Sequence, residues 1–107
     1  ALSGTLAAGA YLVVAVDGQN GPDGVALIDT ADGTLLDALS YEGAIEAATI
    51  GSQTYNLVEG TQLPVSVADS TTVDGSLARV PNGHDANDAA ADWSFTTTIT
   101  RGEANVG

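Results

Sequence analysis

Cysteine, lysine and methionine are missing from this 107-residue chain, and histidine occurs once. Without cysteine there can be no disulfide, iron–sulfur cluster, thiolate zinc site or cysteine nucleophile. Without lysine the only cations are Arg79 and Arg101, set against 14 acidic residues, for a net charge of −12. Nucleic-acid binding depends on basic side chains that neutralise phosphates, and two arginines cannot build a basic stripe or groove. Nucleic acid and anionic membrane are therefore set aside as partners. No run of about 18 apolar residues exists, so the sequence predicts no membrane insertion. The chain starts at alanine and lacks methionine throughout, which reads as a processed product or an excised piece. The poverty of lysine beside abundant Asp, Gly, Thr and Ala suits an extracellular or cell-surface setting.

Short β-type runs separated by turn chemistry make up the rest. Residues 10–16, Ala-Tyr-Leu-Val-Val-Ala-Val, are apolar on both faces and predict a central buried strand. Residues 17–24 crowd Gly, Pro, Asn and Asp into one loop. Residues 25–29 and 34–41 predict a hairpin across Asp32-Gly33, so three antiparallel strands would follow one another. Residues 42–74 read as irregular, with Pro64 barring a central strand there. Strand character returns at residues 76–80, a Pro81-Asn-Gly83 turn follows, and residues 85–92 predict one or two helical turns capped by Asp85. Residues 93–98 form a last β-type run, and the tail from Thr100 is expected to be loose. The pattern predicts one all-β domain over 1–107, an antiparallel β-sandwich.

Few residues offer chemistry. His84 follows a Pro-Asn-Gly turn and reads as an exposed loop residue with Asp85 as its neighbour, without a second ligand or nucleophile. Glu42, Glu46 and Glu59 are acids that glycoside hydrolysis would need at a fixed separation, which nothing in the sequence imposes, so they read as surface charge. Calcium is the one ligand the composition admits, because it takes carboxylate and carbonyl oxygens held by a turn. Its candidate ligands are Asp17, Asn20 and Asp23 in the first loop and Asp85, Asn87 and Asp88 in the second, with Asn82 and Asp92 nearby. Ala89 breaks the EF-hand pattern counted from Asp85, and Asx turns with helix capping explain the same residues more simply. Arg79, a lone cation on a strand among acids, should pair with a carboxylate, and Trp93 should anchor the core.

Three segments together carry a family resemblance: Gly9-Ala-Tyr-Leu-Val-Val14; Gly24-Val-Ala-Leu-Ile-Asp-Thr-Ala-Asp-Gly33 with Leu36-Asp-Ala-Leu-Ser-Tyr-Glu-Gly43; and Ser76-Leu-Ala-Arg-Val-Pro-Asn-Gly-His-Asp85. In this order they resemble the bacterial branch of the lamin-tail domain family. The closing Thr100-Arg-Gly-Glu-Ala-Asn105 resembles its Thr-Pro-Gly-x-x-Asn ending, with Arg101 in place of proline. The resemblance implies an immunoglobulin-like sandwich whose opening strands are missing here, leaving a sheet edge that a partner chain or a second copy would complete. It implies no catalytic residues. The expected role is a non-catalytic structural or interaction module of a secreted or cell-surface protein. The alternatives are an accessory domain of a secreted nuclease or phosphoesterase, and a subunit of an extracellular filament or surface layer.

Overall fold

A computed structural model describes residues 2, 4–16 and 22–106. Six short strands and one helical turn occur among them: β1 (Asp23–Asp29), β2 (Thr34–Tyr41), β3 (Ala48–Ile50), β4 (Gln53–Tyr55), β5 (Ser76–Arg79), α1 (Ala89–Asp92) and β6 (Trp93–Thr96). They pair as three separate two-stranded antiparallel sheets, β1–β2, β3–β4 and β5–β6. The fold is all-β, and no barrel closes among these strands.

The β1–β2 hairpin follows directly from its turn. The Asp29 carboxylate accepts the Ala31 N–H at 2.9 Å, Asp32 accepts that of Thr34 at 2.9 Å, and the Gly33 N–H closes onto the Asp29 carbonyl at 2.8 Å. Aspartate thus shapes the backbone locally while Gly33 takes the positive φ of 76°. The register runs from Asp23↔Tyr41 to Leu27↔Asp37 and resumes at Ile28↔Leu35, so Leu36 is the extra residue of a bulge. Residues Ala38, Leu39 and Ser40 beyond it are all buried.

The structure departs from the sequence reading in four places. Residues 10–16 do not form the expected central strand: they carry no strand pairing, and residues 10–16 are all exposed. Apolar, β-branched residues favour a strand only where a neighbouring ladder takes up their backbone groups. The stretch 42–74, read as irregular, contains the β3–β4 hairpin, which turns at Gly51-Ser52 with Gly51 at φ 64°. Helix α1 covers only Ala89–Asp92, with Asp88 rather than Asp85 at its N-cap and no side-chain cap bond. Its first N–H groups donate instead to the carbonyls of Glu59 (from Ala89, 2.8 Å) and Thr61 (from Ala90, 3.1 Å). The tail is tied down rather than loose. Asn105 donates its side-chain amide to the Arg79 carbonyl at 3.0 Å, its N–H bonds the Asn82 side chain at 2.8 Å, and the Thr96 hydroxyl reaches the Val106 carbonyl at 3.3 Å.

The core is small. Leu39 from β2, Leu63 and Ala89 form its buried centre, with Tyr41, Val67, Leu77 and Trp93 packed against it. It therefore lies where β2, the 57–67 segment, β5 and the α1–β6 junction meet. That placement brings charged side chains from the same elements together at its edge.

Candidate functional site

Arg79 ends β5 opposite Trp93 of β6, and its guanidinium lies 5.0 Å from the centre of the Trp93 ring, within the range of a cation–π contact. From there it forms a two-pronged bond to Asp37 of β2, Nη1 to Oδ2 at 2.7 Å and Nη2 to Oδ1 at 2.8 Å. Glu59 lies 3.6 Å and Asp85 3.7 Å from Nη2. The expected carboxylate partner of Arg79 is thus present, and the cation serves three acids at once. Its side chain is only 14% exposed, which places the pair among those where geometry matters more than at the open surface.

One guanidinium cannot neutralise three carboxylates whose oxygens all lie within 4.8 Å of one another. The charge is divided unequally. Burial opposes ionisation of Asp37, but the Arg79 hydrogen bonds and charge outweigh it and hold that carboxyl below its ordinary value. Glu59 is pushed up to about 7, first by burial, then by its hydrogen bond to Asp37 and by the Asp37 and Asp85 charges, with Arg79 acting in the opposite sense. Near neutrality Glu59 is the group that holds or yields a proton. Its reading as ordinary surface charge does not stand, since its side chain is 18% exposed.

The Asp-rich loop is organised around a different acid. Asp92 is buried at the end of α1, and its carboxylate reaches back to accept the Ala86 N–H at 3.0 Å and that of Asp88 at 3.3 Å. His84 Nε2 stands 3.3 Å from Asp92 Oδ1. The sequence neighbour Asp85 is not its partner. Asp85 instead accepts the Asn87 N–H at 3.0 Å, an Asx turn, and its carboxylate faces Arg79. The Asp88 carboxylate accepts the Thr61 hydroxyl at 3.2 Å. Gly60 allows this approach, because a Cβ on it would lie 2.7 Å from the Asn87 carbonyl oxygen.

Of the six calcium candidates, Asp17 and Asn20 lie outside the described residues. Asp23 begins β1 and bonds its own neighbour, Gly24 N–H to Oδ1 at 2.8 Å. Asp85 and Asp88 each give one carboxylate oxygen to a turn or loop contact, Asn87 joins the turn through its backbone N–H, and Asp88 Oδ1 is buried without a hydrogen-bond partner among the described residues. Among the described residues the acids that come within a metal's reach of one another are Asp37, Glu59 and Asp85, a set drawn from three distant stretches of sequence. Arg79 bonds Asp37 there, so a cation would have to displace the guanidinium. In the described residues no helix is long and apolar enough to cross a membrane. Comparison with protein-family models, with curated proteins and with solved structures finds no match in any of the three.

Proposed function

We propose that this chain is a non-catalytic interaction module of a secreted or cell-surface bacterial protein, an immunoglobulin-like sandwich of the lamin-tail kind that associates through an open sheet edge. The observation that carries this reading is the pairing itself. Each of the three sheets has two strands, so among the described residues each strand pairs along one side only, and exposed apolar side chains accompany the open edges at Val25, Leu27 and Leu36. Unpaired edges flanked by apolar surface are the usual site of strand addition. The ion cluster supports the same reading, because Arg79 turns Asp37 toward structure rather than toward a substrate.

Sedimentation velocity over a range from micromolar to near-millimolar concentration tests the proposal. Concentration-dependent association of the folded chain, with itself or with the remainder of its parent protein, is the expected result. A folded chain that stays monomeric throughout and ignores the rest of its parent protein overturns it.

A further inference from the structure

Two features of complementary kind lack strand partners among the described residues. The first is the stretch 10–16. Tyr11, Leu12, Val13, Val14 and Val16 are 48–75% exposed, and none of residues 11–16 makes a backbone hydrogen bond to another described residue. No charged residue occurs anywhere in positions 1–16, although the chain carries −12 overall. The second is β1. Among the described residues it pairs with β2 alone, and between its terminal aspartates it reads Gly-Val-Ala-Leu-Ile, again without charge.

The face of β1 is uncovered on one side only. Val25 and Leu27 lie opposite Leu39 and Asp37, and directly opposed residues share a face. Leu39 is buried in the core and Asp37 is held by Arg79, yet Val25 and Leu27 are 57% and 52% exposed. The packed layer stops at β2. One more strand beside β1 would carry it across.

We infer that residues 10–16 of one chain pair along the open edge of β1 in a second copy, which returns its own 10–16 in a two-fold exchange. This rests on the edge-association reading above and names its donor, its acceptor and its partner. Both segments are seven residues long, and an uncharged apolar donor meets the uncharged interior of an edge strand. In the single chain the segment lies elsewhere. Tyr11 accepts a hydrogen bond from Asn82 at 3.1 Å, and Val13, Val14 and Val16 line an open recess beside Arg101, so among the described residues the donor has no strand partner and β1 has one on one side alone. Exchange between copies fills both through one isologous contact. Because each copy carries −12 and charges are screened beyond about 10 Å at 0.1 M salt, the dimer should tighten as salt is raised.

The absence of cysteine gives a clean test. Chains carrying Val14→Cys and chains carrying Leu27→Cys are mixed under mild oxidation, with Leu12→Cys as a second donor position, and the sedimentation of the unaltered chain is followed against salt. The expected result is a disulfide joining one donor-position chain to one Leu27→Cys chain, together with a salt-strengthened dimer. Val14→Pro should abolish that dimer and leave the circular dichroism spectrum of the dilute monomer unchanged, since it removes a ladder donor outside the core. Val65→Ser, at another exposed apolar site, should leave the dimer intact. Links only between like variants, or a Val14→Cys/Leu27→Cys chain that closes within a monomer, would overturn the exchange while leaving edge association standing. Monomers at every concentration and salt would overturn the exchange, and would overturn edge association as well if the chain also ignores the rest of its parent protein.

Discussion

Residues 10–16 and β2 are both seven or eight residues long and both rich in aliphatic side chains, yet one is bare and the other holds the core. Strand β2 keeps Ala38, Leu39 and Ser40 at 2–7% exposure, whereas Val16 is 75% exposed. Hydropathy would rank them the other way, since residues 10–16 carry no charge while β2 includes Asp37, Ser40 and Thr34. What separates them is partnership: β2 has β1 beside it, Leu63 and Ala89 against Leu39, and Arg79 on Asp37. Apolar surface stabilises a fold only when it is removed from water, and a strand's backbone needs a ladder before its side chains can be packed.

Substitutions can be chosen to widen or close that difference. The largest effect is expected at Leu63, 1% exposed at the centre of the core: Leu63→Ala should cost about 2–5 kcal/mol, read as a fall in the urea midpoint at constant slope. Next is Arg79→Ala, which leaves three crowded carboxylates without their cation and removes the contact with Trp93. A loss of about 1–3 kcal/mol is expected from a part-buried pair whose Asp37 side chain is 29% exposed, and an unchanged melting curve would show that the cluster contributes nothing. A smaller, pH-dependent effect belongs to Glu59. Its carboxyl titrates at 4.5 in the unfolded chain and about 7 in the folded one, so between these values the folded state binds more protons and stability falls as pH rises. Asp37, held low, contributes in the opposite sense and loses its contribution only on stronger acidification. Glu59→Gln should flatten the slope between pH 4.5 and 7, as followed by thermal melts across that window. The smallest effect is expected in the bare segment, where Val13→Ser should move the stability of the monomer by no more than about 0.5 kcal/mol. A larger loss would mean that the segment is already packed within one chain.

Much of the candidate site was legible residue by residue but not as a set. A single arginine on a strand among acids must find a carboxylate, and it does. Its partners Asp37, Glu59 and Asp85 stand 42, 20 and 6 positions away in sequence, so no local pattern could join them. The β1–β2 hairpin was readable from Asp-Gly turn chemistry, and β5 and β6 from short β-type runs. The β3–β4 hairpin carried the signal Gly51-Ser52 between three-residue runs, too short to outweigh the surrounding Ser, Thr and Gly. Asp92 was visible only as one acid among several. Its role comes from burial, where its own shielded carboxylate finds partners in the backbone N–H groups of Ala86 and Asp88. Asn105 likewise secures the tail through contacts to residues 79 and 82, which no periodicity announces.

By itself the sequence determined the chemistry that this chain lacks, its acidity, the all-β class, and the turns built by aspartate and glycine, because those depend on residue type and on neighbours a few positions apart. Tertiary structure decided which apolar run became a strand, which acids share Arg79, and which of them holds a proton near neutrality. Those outcomes depend on burial and on charges brought within a few ångströms from distant positions, and both exist only once the chain has closed around Leu39, Leu63 and Ala89.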